Sequence, residues 1–391
     1  MLVRANNFPD EKVIVANVFW LSLASIMSQG FIAVSLLITA RSLGPADFGQ
    51  YSACIALARL TSIAFNLGMD TWLLRAGKEN EKSTNTGIAG ILMAKTVLGT
   101  IWIVLLVIFW KFLNPLTYPL SVLFISAVVT WIESLLTTIE QGFNIFLKNY
   151  LSLYLAVIFS FGLFASTFGL ASLNLSNPLL FLFARLFISL IATSIGLSWL
   201  TKLSPLRFSS SYIPIVLGQS IPFAISEALV VVYTQADITI VAFLLGSPSA
   251  GLYSSASGIL RAAFVLPLAV FSVITPIISQ MVSQNNWTVL IKTIYKTYIS
   301  LSIMGLILWI GMRIAGPSFT QLILREKFGQ AGNILAILSI ILFLRCLNYA
   351  SATILIAMNK HVWRVVAQWI AAFANIGLNF WAIPMLSLIH I

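Results

Sequence analysis

Two stretches of this chain, 202 positions apart, repeat one pattern. The first, Leu43-Gly44-Pro45-Ala46-Asp47-Phe48-Gly49-Gln50-Tyr51-Ser52, runs on to Arg59. The second, Leu245-Gly246-Ser247-Pro248-Ser249-Ala250-Gly251-Leu252-Tyr253-Ser254, runs on to Arg261. Laid over each other without a gap, Leu, Gly, Gly, Tyr, Ser and the later Arg coincide. Each copy lies between two long apolar segments, and each arginine falls inside one. A duplicated membrane unit that puts a cation at equal depth in both halves points to a transporter with a charged central path.

The 391 residues are 59% hydrophobic and only 8% charged. A water-soluble domain uses about a quarter charged residues for its surface. Apolar runs of about 20 residues suffice to cross the hydrocarbon layer as helices. They are continuous rather than alternating, which excludes a transmembrane barrel. Met1 to Val13 is polar, so the first run is a retained span rather than a cleavable signal. Cys54 and Cys346 both lie in apolar segments and form neither a disulfide framework nor a metal-ligand spacing. His361 is the only histidine before the extreme C-terminus, which argues against zinc and against histidine-based nucleophilic catalysis.

The pattern predicts an all-α integral membrane protein with eleven spans. They fall at 14–40, 48–74, 87–110, 118–140, 150–171, 179–200, 212–236, 252–281, 295–316, 331–357 and 363–384. The connections are short. Gln284–Lys296 has the alternation of a partly interfacial stretch. With the N-terminus inside, the inner loops carry twelve basic residues and the outer loops five, so the basic-side bias favours a cytoplasmic N-terminus. The repeat predicts two parallel six-helix lobes around a central cavity, 1–201 and 212–385, related by an axis along the membrane normal. The Gly-x-Tyr-Ser motif then lies on the outer side in both. A twelfth span is expected at about 381–402, beyond the last residue. Residues 386–391, Leu-Ser-Leu-Ile-His-Ile, match one translation of a sequencing-adapter end. They are read as adapter read-through on a fragment, with a native tail as the alternative.

On these residues the chain resembles the Wzx-type polysaccharide and O-antigen flippases, within the superfamily that also holds the MATE antiporters and lipid II flippases. The resemblance is carried by Ser42 to Ser52, Asn66-Leu67-Gly68-Met69-Asp70 and Leu73-Leu74-Arg75. It continues through Ile221-Pro222, Ala236-Asp237-Ile238-Thr239-Ile240, Gly251 to Ser254, Ala374 to Asn379 and Ile383-Pro384. It covers nearly the whole chain, and the first motif is the most specific. It implies helices in two lobes around a cavity. It also implies movement of undecaprenyl-pyrophosphate-linked sugar units from the inner to the outer leaflet of the bacterial cytoplasmic membrane. The missing last span departs from the family pattern.

Nine charges lie within spans. The cations are Arg59, Lys95, Arg185, Arg261 and Arg345; the acids are Asp70, Glu133, Glu227 and Asp237. Each would cost about 3 kcal/mol facing lipid at mid-bilayer, so they are expected to face a wet cavity or one another. Guanidinium forks match phosphate oxygens, and Arg59 and Arg261 enter at equivalent depth to converge on one anionic headgroup. The alternative is that they hold helices together by pairing. Arg345 and Lys95 are further substrate-binding candidates, balanced against the same alternative. Arg185 could serve release, but its place about two turns from a span end favours snorkelling. Arg59 and Asp70, eleven residues apart, are too distant along the helix for an ion pair. Glu227, mid-span, is the foremost coupling candidate, ahead of Glu133 and Asp70, while Asp237 fits capping or pairing. Gly68 and Pro222 fit packing or bending, and Tyr51 and Tyr253 fit outer-interface anchors better than sugar stacking.

No Gly-x-x-x-x-Gly-Lys-[Ser/Thr] loop is present, so ATP is not expected as the direct driver, and no cofactor or nucleic-acid partner is expected. The expected partners are polyprenyl-pyrophosphate-linked sugars, membrane lipids and the polymerase and assembly proteins of the pathway. Three other readings stay open. A polymerase or ligase would need a larger outer loop than 316–332. A MATE-like cation-coupled drug antiporter would need an acidic cavity, against five cations and four acids here. The third is a non-transporting scaffold.

Overall fold

The computed structural model describes residues 11–76, 81–206, 213–284 and 287–358, with parts of a further helical stretch between 363 and 378. The expected twelfth span, the adapter-like tail 386–391, most of the 363–384 span, and Arg4, Lys78, Arg207, Lys360 and Arg364 of the charge count lie outside the described residues.

Among the described residues the fold is wholly helical. Inside hydrocarbon each backbone N–H and C=O must find a partner within its own segment, which leaves only helices for continuous apolar runs. The elements are α1 (Glu11–Thr61), α2 (Ile63–Asn66), α3 (Met69–Ala76), α4 (Glu81–Phe109), α5 (Leu120–Ile145), α6 (Asn149–Ser172) and α7 (Pro178–Leu203). They continue with α8 (Ile213–Ala263), α9 (Val265–Ser283), α10 (Trp287–Leu324), α11 (Gly329–Leu338) and α12 (Ile340–Ala357). Serine and threonine hydroxyls within these helices donate back to the carbonyl four residues earlier. Ser35 to Phe31, Thr39 to Ser35 and Thr130 to Ser126 are examples, and the polar atom is thereby hidden from lipid.

Among the described residues, eight helical stretches are long and apolar enough to cross a membrane, so this is a multi-pass membrane protein. Two of them, Ser25–Asn66 and Ile213–Phe271, run 42 and 59 residues, far more than one crossing needs. The chain turns within each at a repeated glycine. Gly44 has φ 79°, ψ 172° and Gly246 has φ 81°, ψ −178°. Only glycine enters that region without strain. Pro45 and Pro248 follow, where a new helical arm starts and a missing N–H costs nothing. Both long helices end 202 positions apart, at Thr61 and Ala263, and restart two residues later as α2 and α9. The copies then diverge. The first breaks again at Leu67 and Gly68 (φ 45° and 69°), whereas α9 runs on to Ser283.

Beyond its kink, each copy's second arm packs against the other copy's. A Cβ built on Gly49 would sit 1.7 Å from the Ser247 carbonyl oxygen, and one on Gly251 would sit 2.0 Å from that of Pro45. Ser247 is the repeat equivalent of Pro45, so the contact is reciprocal, as at a two-fold axis. The largest buried cluster surrounds this crossing, with Phe48, Phe65, Tyr118, Phe181, Ala250 and Phe328 almost wholly enclosed. A second cluster around Met69, Trp72, Ile88, Phe143 and Leu200 fastens α3 to α4, α5 and α7. By contrast, Val97, Ile101, Val104, Leu105 and Ile108 form an outward stripe on α4, a surface suited to acyl chains. The stretch expected to be interfacial is continuous with α10 from Trp287. At 38 residues, or about 57 Å, that helix overshoots the hydrocarbon thickness.

Candidate anion site between the two halves

The charges of the first half form two closed groups. Asp70, in the first turn of α3, accepts from Lys95 Nζ of α4 at 2.6 Å and from the Thr138 hydroxyl of α5 at 2.7 Å. Lys95 also donates to the Ser134 carbonyl at 3.2 Å, and its side chain is fully enclosed. Both charges therefore keep several charge-assisted bonds out of water, the condition under which a buried pair is tolerated. In the second group, Glu133 of α5 is held by Arg185 of α7 and by Arg59 of α1. Arg185 grips it with both faces of its fork, Nε to Oε1 at 2.7 Å and an NH2 to Oε2 at 3.0 Å. Arg59 reaches Oε2 alone, at 3.1 Å.

The snorkelling expected of Arg185 is not seen. Its side chain is 8% exposed and turned inward, because Glu133 offers it a bidentate partner at its own depth. Lys95 is likewise sealed against Asp70 rather than open to a cavity. Arg59 and Asp70 belong to separate groups. Tyr51 is buried and stacked on Phe48, so it does not anchor an outer interface. Tyr253 donates to Asp237 at 3.1 Å, which makes Asp237 a paired group.

The second half contributes cations without carboxylate partners. Among the described residues, neither Arg261 nor Arg345 is in an ion pair. Arg261, exposed in the last turn of α8, lies close enough to Arg59 for the two charges to repel, with Tyr253 and Asp237 also in its field. Arg59 is itself 39% exposed on its side chain. Arg345 of α12 lies over the rings of Phe264 (5.4 Å) and Tyr349 (5.3 Å), with its buried Nε unpartnered. Two guanidinium groups within electrostatic reach of each other, one of them without a carboxylate partner among the described residues, give this region a positive bias.

Glu227 stands apart. It borders a cavity of about 10 Å³ with Asn66, Leu67, Gly68 and Ala224, at the second break of the first half. Its Oε2 has no hydrogen-bond partner among the described residues, while Asp70 and Lys95 lie within its electrostatic reach. Gly68 is pressed against α8 there, its hypothetical Cβ 2.3 Å from the Ala224 nitrogen. α8 passes through Pro222 without leaving the helical conformation, whereas the first copy breaks at Gly68.

Sequence reasoning missed Ser134, Thr138 and Asn66 as members of these networks. The Ser134 hydroxyl donates to Asn66 Oδ1 at 2.6 Å. The spacing of Thr130, Ser134 and Thr138, four residues apart, draws a polar stripe along α5 that was available as a signal.

Residues 14–282 match the family described as polysaccharide biosynthesis proteins. No curated protein matches the sequence. Among solved structures, the chain is similar to the lipid II flippase MurJ in an inward closed conformation, with a TM-score of 0.76 at 14% identity over 95% of this chain and 83% of that one. It is also similar to an inward-facing multidrug resistance MATE family transporter of the MOP superfamily (TM-score 0.68, 12% identity, 92% and 89% covered). A third is a MOP superfamily transporter from Pyrococcus furiosus whose reverse polarity of binding pocket is said to suggest a different function (0.60, 12%, 96% and 89%). At such identities these likenesses concern the fold.

Proposed function

The chain belongs to the polysaccharide biosynthesis protein family, and from that premise we propose that it is a flippase for undecaprenyl-pyrophosphate-linked oligosaccharides. It would carry them across the bacterial cytoplasmic membrane for O-antigen, capsule or exopolysaccharide export, by alternating access between two lobes. In this reading the lobes are 1–201 and 212–385, the N-terminus is cytoplasmic, and the Gly49–Gly251 crossing is the outer seal. The protein is a transporter rather than an enzyme. Its partners are the lipid-linked sugar, the surrounding lipids and the polymerase and assembly proteins of the pathway.

The observation that supports the reading is the pair Arg59 and Arg261, which come from equivalent positions of the repeat and lie within electrostatic reach of each other. A diphosphate cannot enter hydrocarbon without compensating charge, and two guanidinium forks supply it in the geometry phosphate prefers. The same observation weighs against a cation-binding antiporter. Asp70, Glu133 and Asp237 already have partners, and the charges left over at the interface are mainly positive. Lys95 and Arg185 become scaffold rather than ligands, and Arg345 a secondary anion contact. Glu227 remains the coupling candidate.

The test is complementation of a bacterial strain lacking its own flippase. Arg59→Ala with Arg261→Ala should abolish outer-leaflet sugar display while the protein still accumulates in the membrane. Normal display by that double variant would refute the anion clamp. Cation-dependent dye efflux, if found, would favour the antiporter.

A further inference from the structure

We propose that Glu133 is a built-in substitute for the cargo's anion: it occupies Arg59 while the site is empty, yields it when a diphosphate arrives, and recaptures it at release. The inference rests on the reading of Arg59 and Arg261 as the anion clamp.

Glu133 lies between two guanidinium groups held in different ways. Arg185 uses two nitrogens on two oxygens, at 2.7 and 3.0 Å, with its side chain 8% exposed. That fork is fixed. Arg59 uses one nitrogen on one oxygen, at 3.1 Å, with 39% of its side chain exposed and its charge within reach of Arg261. When Arg59 leaves, Glu133 keeps both bonds to Arg185 and stays charge-compensated. When Arg59 returns, it is not left as a bare buried charge, the costly state for a broken pair. The two bonds of the acid to Arg185 hold it in place, so only Arg59 is free to change partner.

The arrangement solves a problem inherent in a two-arginine clamp. Two unpaired guanidinium groups in a low-dielectric cleft would hold a diphosphate strongly and surrender it slowly. If Arg59 spends most of its time on Glu133, the competent clamp is only a fraction of molecules, and apparent affinity falls by that fraction. The same carboxylate then competes with the cargo for Arg59 as the site opens for unloading. Glu133 is therefore a positioning residue, acting through Arg59 without touching the cargo.

The experiment measures binding of a short-chain polyprenyl diphosphate, and of the matching polyprenol, to the full-length protein in lipid nanodiscs, beside translocation in cells. Glu133→Gln removes the competing charge and keeps an oxygen for Arg185. Its diphosphate affinity should rise about tenfold, equivalent to about 1.4 kcal/mol, while translocation slows. Loss of a negative charge would strengthen anion binding by itself, so the same substitution is made beside Arg59→Ala. There the gain should shrink below about twofold, because a competitor for an absent arginine has no effect. Glu133→Asp keeps the charge but shortens its reach to Arg59, and should show an intermediate gain. Unchanged or weaker binding in the folded variants would overturn the proposal, as would a gain that survives without Arg59. Loss of the folded state in both variants would make Glu133 a structural residue and equally end it. If the native protein binds the diphosphate no better than the polyprenol, the failure lies in the clamp itself.

Discussion

Lys95 shows what a membrane interior demands of a single residue. Its ammonium is enclosed and held by one carboxylate, with a backbone carbonyl completing the cage. Removing one member of such a pair leaves the other unpaired in a low-dielectric site, at a cost of about 3–5 kcal/mol. Removing both for apolar groups of similar volume is often neutral. Asp70→Ala is accordingly expected to cut thermal stability in detergent sharply. Lys95→Met combined with Asp70→Leu should recover most of the loss. A heating series read by size-exclusion chromatography checks this, and equal damage in the single and double variants would show that the pair does more than balance charge. Arg345 differs, being held over two aromatic rings with no carboxylate partner in the described residues. Its loss should weaken diphosphate binding without a comparable loss of stability.

At the scale of elements, two glycine types in the repeat have separate tasks. Gly44 and Gly246 turn the chain through conformations closed to other residues, and Ala at either should cost about 1–3 kcal/mol. Gly49 and Gly251 have ordinary helical backbones but no room, since each faces a backbone carbonyl of the other copy that cannot swing aside as a side chain would. Gly251→Ala should therefore leave the protein folded and force the crossing apart. Ser247→Cys reports on it. Ser247 is buried in the seam, and the native Cys54 and Cys346 are buried, so background labelling is low. A membrane-impermeant maleimide should label Ser247→Cys several-fold faster once Gly251→Ala is added. The repeat was legible in the sequence, and so were the glycines it marks. Their mutual contact was not, because a repeat says which residues are equivalent and not which equivalents meet. The ion pairs were hidden for a related reason. Arg59 and Glu133 stand 74 positions apart and Lys95 and Asp70 stand 25 apart, so only the packing of three helices around α5 selects those partners. Arg185 was misjudged because depth along a helix was weighed without knowing what faced it.

For the whole molecule, two close contacts between the repeat copies differ in kind. At the crossing the contact is reciprocal, each copy giving the same residue to the other. Around Gly68 it is one-sided. Gly68 meets Ala224 and Phe223 of α8, Arg75 lies 5.2 Å from the Phe223 ring, and the repeat equivalent of Gly68 is Val270 within unbroken α9. One of these contacts is reciprocal and the other is not, which lets the two be disturbed separately. Gly68 has φ 69° and no space for a Cβ, so Gly68→Ala strikes both the break and the contact. It should open the end beside Glu227 and leave the crossing shut. In right-side-out and inverted vesicles, a cysteine at Ala224 should gain reactivity several-fold from the side proposed as cytoplasmic, while Ser247→Cys stays protected. Gly251→Ala should give the converse result. In the paired variant both cysteines should gain reactivity together. If each substitution instead loosened both ends together, the seals would form a single rigid unit, and alternating access through independent closures would not describe this protein.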